Sequence, residues 1–319
     1  MVTEYLSVTT FLFEKLRGII MKKIISLFLV ACLLFACDKQ PINSHGNISN
    51  TGNTITFGSA RLNMIDIAGG DFILGSQSSV DNKAHNVELS DYQMSEIEIT
   101  QELFEAVMGY NPSQFKSEPD AGEIQKLRPA DRVNWYEAVE FCNKLTKTIM
   151  GAEHCVYTIT NEKRYNDEPG IEKATVTADW SKKGFRLPTE AEWEWAARCG
   201  EQYNYAGSNN LKEVAWCADN SGGKTHQVKL LKPNKFGLYD MTGNMWEWCW
   251  DLSGPIADGA DLGKDPKGNT AGTFRIHRGA CWFCPMPDTE GRYLVYFRDA
   301  FILPDKKDSK IGFRIARYK

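Results

Sequence analysis

Hydrophobic and polar positions along this chain of 319 residues change their period repeatedly, and the changes mark its elements. From Leu62 to Gly75 two short alternating runs are broken by Gly69-Gly70, which predicts a hairpin. Val87 to Thr100 reads as further strand, ending in I-E-I-T. Thr100 then caps an expected helix that carries Leu103, Phe104, Val107 and Met108 on one face and is stopped by Gly109. Asn134, with Glu137 three residues on, has the pattern of a capping box, and Ala138, Phe141, Cys142 and Leu145 supply the inner stripe of a second helix. Residues 156–183 predict a long hairpin with Val156-Tyr157-Thr158-Ile159 and Ala174-Thr175-Val176-Thr177 as its arms. A third helix follows G-F-R-L-P, with Thr189 and Glu192 as a second capping box, Trp193, Ala196 and Ala197 facing inward and Gly200 at its end. Beyond Gly200 periodic segments are few, and the chain is rich in loops, glycine and aromatic residues.

The most informative stretch lies there, from Asn234 to Asp251, reading N-K-F-G-L-Y-D-M-T-G-N-M-W-E-W-C-W-D. Trp246, Trp248 and Trp250 alternate, so an extended backbone puts three indoles on one face. That is too much apolar surface to leave in water, which makes the stretch core. Asp240, Glu247 and Asp251 are interleaved with it, and a carboxylate against an aromatic wall needs a cation, a metal or N–H donors. A hard, oxygen-ligated ion such as calcium would serve, drawing on Asp240, Glu247 and the loop carbonyls between them. The simpler alternative is a core strand whose carboxylates pair with arginine.

Composition narrows the class. Apolar content of 42% and charge of 24% suit one large globular domain or two small ones. A net charge of −4 without a basic stripe argues against nucleic acid as a partner. Near the start, Met21-Lys22-Lys23 precedes an apolar run from Ile24 to Ala36 and then Cys37, the pattern of a secretory signal too short for an ordinary membrane span. Leu34-Phe35-Ala36-Cys37 resembles a bacterial lipobox, so Cys37 is the expected lipidation site and the membrane is reached through that lipid. Residues 21–36 are then a lipoprotein signal peptide and 1–20 an upstream mis-start. Residues 37–59, polar and short of apolar side chains, read as a flexible tether, and 60–319 as the folded domain. The expected location is the cell envelope, lipid-anchored to a bacterial membrane, the outer one by preference.

Seven cysteines follow Cys37, an odd number, so at least one thiol stays outside intramolecular disulfides. Cys281-x-x-Cys284 has no second pair to complete a zinc pattern, and the five histidines are scattered without H-E-x-x-H. Phosphate-cradling glycine motifs, a G-x-S-x-G elbow and solenoid repeats are missing from the sequence as well.

Four stretches in order carry a resemblance: G-F-R-L-P-T-E-A-E-W-E-W-A-A-R at 184–198, P-N-K-F-G-L-Y-D-M-T-G-N-M-W-E-W at 233–248, R-G-A-C-W at 279–283 and I-G-F-R-I-A-R at 311–317. With I-A-G-G-D-F-I-L-G-S and N-W-Y-E-A-V-E-F-C-N, they make residues 60–319 similar to the formylglycine-generating enzyme, or sulfatase-modifying factor, family. The resemblance implies one α+β domain with little regular secondary structure, related to the C-type-lectin-like fold. It also implies calcium held by Asp240, the carbonyls of Gly243 and Met245, and Glu247.

Active relatives oxidise a substrate cysteine with dioxygen and copper(I) held by two cysteines, soft ligands suited to that ion. Here Cys284 matches the first cysteine, Thr289 stands at the second, Cys281 replaces a serine, and Trp246 matches the active-site tryptophan. A C-x-x-C on an extended strand splays its sulfurs, so pairing Cys281 with Cys284 calls for a sharp turn at Phe283. Two functions follow as expectations: oxidation of a cysteine in an exported sulfatase or other envelope protein through Cys281, Cys284 and Trp246, or non-catalytic binding on a lectin-like scaffold. For the second, the irregular segment 282–310 resembles the diversified segment of retroelement-encoded lectin-fold proteins. A sulfur-oxidising sibling branch needs a His-rich iron domain that this sequence does not contain.

Overall fold

A computed structural model describes residues 48–79, 82–254 and 260–319. The expected signal peptide and Cys37 lie outside the described residues. Strand pairing begins before residue 60. β1 (Ile48–Thr51) and β2 (Thr54–Phe57) form an antiparallel ladder, and β2 pairs with β3 (Ala60–Ile67). Ile55 and Phe57 are buried, so the tether expected to reach residue 59 gives way to sheet earlier. The alternation at 54–57 suffices to anchor it, since each inward side chain adds apolar burial of about 1.5–3 kcal/mol.

β6 (Tyr92–Ser95) covers the other edge of β3, and β14 (Ala316–Tyr318) pairs with β6, so the end of the chain closes on the N-terminal sheet. The hairpin expected across Gly69-Gly70 does not form. β4 (Gly70–Leu74) pairs instead with β5 (His85–Leu89), and β10 (Asp261–Lys264) lies parallel along β5. Gly69 is where the backbone passes from one sheet to the next. A Cβ there would stand 2.0 Å from the Leu89 carbonyl oxygen, which only glycine avoids.

The helices follow their caps. Thr100 accepts a hydrogen bond from the Leu103 amide at the start of α1 (Gln101–Met108), and Gly109 ends it at φ 84°. Reciprocal capping boxes open α2 (Trp135–Ile149) at Asn134 and Glu137, and α3 (Glu190–Arg198) at Thr189 and Glu192. The left-handed cap of α3 is Cys199, at φ 47°, one residue before the expected glycine. β7 (Tyr157–Arg164) and β8 (Ile171–Ala178) make the long hairpin.

The central sheet runs in the order β12 (Asp299–Ile302), β11 (Arg275–Arg278), β9 (Trp246–Leu252), β13 (Ile311–Gly312). The tryptophans of β9 are core, as the alternation implies. Trp248 is buried and donates its indole N–H to the Val133 carbonyl, while Trp250 stacks on Tyr157 at 5.2 Å. The Arg275 guanidinium lies 3.6 Å above the Trp135 ring, and burial lowers its pKa to about 10. Among the described residues no helix is long and apolar enough to cross a membrane.

Candidate functional site

Two buried clusters lie beside each other where the loop before β9 meets the loop after β11. The first is acidic. Glu247 on β9 accepts from Arg314 through both oxygens (Nε to Oε2 at 2.6 Å, Nη2 to Oε1 at 2.7 Å) and from the Trp193 indole N–H at 2.7 Å. Arg314, from the I-G-F-R stretch, is thus the partner the simpler sequence alternative required, and it also donates to the Ser95 and Tyr239 carbonyls. Asp240 is held at φ 56°, a left-handed conformation that Asp tolerates, and its Oδ2 accepts from the Lys229 amide at 2.8 Å. Gly243 must be glycine, since at φ 81° a Cβ would lie 2.4 Å from the Trp216 carbonyl oxygen.

A third carboxylate, Glu98, completes the cluster. It accepts from the Met245 amide at 3.0 Å and the Asn244 amide side chain at 2.8 Å. Burial, then the charges of Asp240 and Glu247, push the Glu98 carboxyl well above its usual range, and burial pushes Asp240 up to about 6. Three buried carboxylates around the Arg314 guanidinium leave a formal excess of negative charge. Both Glu247 oxygens are engaged by Arg314 and Trp193, and the three carboxylates do not converge as a ligand set, so a hard divalent cation here would draw first on Asp240 and the loop carbonyls. Glu98 was not singled out from the sequence. Set between Ile97 and Ile99 and two residues after Glu96, it reads in the sequence as the outward position of an alternating strand, which gives no signal of burial. Asp251, the third acid in the aromatic run, lies apart. It caps α3 by accepting from the Glu190 amide at 2.7 Å, and burial pushes its carboxyl to about 7.

The second cluster is the thiol pair. Residues 281–284 form a tight turn in which the Cys284 amide donates to the Cys281 carbonyl at 3.1 Å. The sulfurs stand 3.3 Å apart rather than splayed, because residues 282 and 283 make the sharp turn that bringing them together required. Both thiols are buried, and the Tyr293 hydroxyl closes the turn by donating to the carbonyls of Cys281 and Cys284. Burial raises the Cys281 thiol pKa, and the hydrogen bond from Cys281 lowers that of Cys284. Thr289 is exposed, away from this buried pair. Trp246 packs on His277 at 4.8 Å and Phe297 at 6.1 Å. The turn meets the acidic cluster through the Trp282 amide, which donates to the Asn244 carbonyl at 2.9 Å.

From Phe283 onward the chain also carries exposed apolar surface. Phe283 is 56% exposed, Phe301 78% and Leu303 45%. Phe301 lies between two cavities of about 480 and 670 Å³, the first with Phe274, His277 and Leu303 in its wall, the second with Phe297 and Arg298.

Residues 57–319 match the family described as sulfatase-modifying factor enzyme 1-like domain. The chain belongs to this family. Within it, the chain is 35% identical to the chaperone protein LppX of Paenibacillus barcinonensis over 295 residues, which cover 85% of this chain and 93% of that one. It is 35% identical to the formylglycine-generating enzyme of Streptomyces coelicolor over 158 residues, covering 45% of this chain and 49% of the enzyme. Among solved structures, Treponema denticola variable protein 1 superposes with a TM-score of 0.76 at 39% identity, over 85% of this chain and 100% of that one. The sulfatase-modifying factor fold, mixed α and β with little helix, is therefore the fold of this chain, as the sequence implied.

Proposed function

We propose that this chain is a binding member of the sulfatase-modifying factor family, lipid-anchored at the bacterial cell envelope through Cys37, whose face around Phe301 receives an exported polypeptide. The observation that carries this reading is a contrast. The sulfurs an oxidase would use are buried in a turn that the Tyr293 hydroxyl closes, while Phe301 and Leu303 stand in solvent beside two cavities. A relative that shares most of its length with this chain bears the name of a chaperone, which agrees with a polypeptide partner. Burying a phenylalanine side chain is worth about 1.5–3 kcal/mol, enough for roughly a tenfold to hundredfold change in affinity.

The test uses reduced, denatured lysozyme as a secreted polypeptide probe. The chain is expected to suppress its aggregation near stoichiometric amounts, and Phe301→Ser with Leu303→Ser to require about tenfold more protein at an unchanged melting temperature. Equal suppression by variant and wild type, or none by either, would remove the binding face.

Calcium belongs to the same reading, held by Asp240 and the carbonyls of Gly243 and Met245, with Glu98 adding charge beside them and Glu247 joining only by giving up a contact with Arg314. The ion would neutralise the carboxylates and stiffen the loop that supports the Cys281–Cys284 turn.

A second reading, oxidation of a cysteine in an exported sulfatase, is favoured by one observation, the 3.3 Å contact of two soft sulfur ligands. Cys281 and Cys284 would hold copper(I), which supplies dioxygen activation when bound. The buried position of both sulfurs and the exposed Thr289 weigh against it.

A further inference from the structure

The loop 217–228 and the segment that ends in Glu123 meet at a third group of ligating side chains, separate from both clusters above. The His226 ring is 2% exposed, stacked on the Trp216 indole at 3.8 Å, and its Nε2 lies 2.8 Å from the Ser221 carbonyl oxygen. A carbonyl oxygen only accepts, so Nε2 carries a proton and donates it there. That bond fixes the ring and turns Nδ1 toward two carboxylates, Glu123 Oε1 at 2.6 Å and Asp120 Oδ2 at 3.7 Å. The three ligand atoms lie within 4.8 Å of one another. At 2.6 Å Nδ1 and Glu123 Oε1 stand at hydrogen-bond distance, so a proton, or a metal cation in its place, lies between them. A backbone carbonyl that holds one ring nitrogen while the other faces carboxylates is the arrangement that orients a metal-binding histidine.

We propose that His226 Nδ1, Glu123 Oε1 and Asp120 Oδ2 bind a first-row divalent cation of the zinc class, clasping the two segments. The other oxygens of the acids are engaged elsewhere. Asp120 Oδ1 pairs with Lys224 at 2.5 Å, and Glu123 Oε2 accepts from Arg128 at 3.4 Å and from the Gln227 amide at 3.3 Å. One oxygen of each acid is therefore left for the ion. Ligand atoms on a tetrahedral zinc stand about 3.4 Å apart, so Asp120 is already placed and Glu123 needs to withdraw by under about 1 Å. Asp120 is 51% exposed, which gives the ion an entry path and leaves the fourth position to water. The clasp bears on the thiol turn, because Ser221 Oγ donates to the Trp282 carbonyl at 2.9 Å. It does not depend on the binding reading above.

Cobalt(II), a spectroscopic stand-in for zinc, tests the site on the whole chain. One equivalent is expected to bring visible d–d bands without near-ultraviolet thiolate charge transfer, abolished in Glu123→Gln and at least tenfold weaker in Asp120→Asn. The half-exposed position of Asp120 makes its variant a safe control for folding, read as an unchanged melting temperature without metal. Absence of visible bands at several equivalents, bands with thiolate charge transfer, or Glu123→Gln binding within twofold of wild type would each overturn the assignment.

Discussion

Replacing Arg314 by methionine is expected to destabilise the fold by about 3–5 kcal/mol, measured by chemical denaturation in the presence of a chelator. Arg314 and Glu247 are both fully buried, and their bidentate contact joins the C-terminal stretch to β9. Removing the guanidinium leaves the Glu247 carboxylate inside the core with the Trp193 N–H as its remaining donor, and strands the Ser95 and Tyr239 carbonyls. The cost is that of an uncompensated charge rather than the worth of the pair. Replacing both residues with apolar ones of similar volume should therefore cost less than the two single changes added, with a coupling of about 2 kcal/mol or more. Additive single and double variants would mean that the two groups do not depend on each other.

The second large effect is a change of sign with pH. Glu98 and Asp240 both have carboxyls raised by burial, Asp240 to about 6. An unfolded carboxylate titrates near about 4, so between that pH and the folded values the native chain keeps protons that the unfolded chain has lost. Stability of the ion-free chain from these groups then falls as pH rises through that window, by about 3 kcal/mol for Asp240 alone. Calcium, proposed above for this cluster, would reverse this by holding the carboxylates ionised, and acid would compete with the ion. In thermal melts, the stabilisation by millimolar calcium over chelator should be several degrees at pH 7.5 and shrink by pH 5.5. Asp131 and Asp251, each raised by burial to about 7, titrate in both conditions and cancel in the difference. A calcium shift of zero, or one independent of pH, would take the ion out of this cluster.

What was legible in the sequence was local. The capping pairs Asn134 with Glu137 and Thr189 with Glu192 act over three residues, so spacing alone placed both helix starts. The family motifs located Asp240 and Glu247 for the same reason. Features decided by distant pairing were not legible. Gly69-Gly70 looks like a turn, but β3 pairs with β2 and β6 while β4 pairs with β5, in separate sheets. Glu98 lies in the alternating run S-E-I-E-I-T, which looks like an ordinary half-exposed strand, and its meaning comes from amides at 244 and 245, far along the chain. The Cys281–Cys284 contact depends on a turn at Trp282-Phe283, which the spacing made a condition for pairing but did not itself establish. His226 appeared as one of five scattered histidines, because its two carboxylate neighbours lie about a hundred residues earlier.

The division between binding and oxidation is tested most directly by oxygen uptake in the presence of copper(I), a reductant and a C-x-P-x-R peptide. No uptake above the copper–peptide blank, and no aldehyde on the peptide, is the predicted result. Steady uptake with aldehyde formation, abolished by Cys284→Ser, would contradict it and make the buried sulfur pair a working oxidase site.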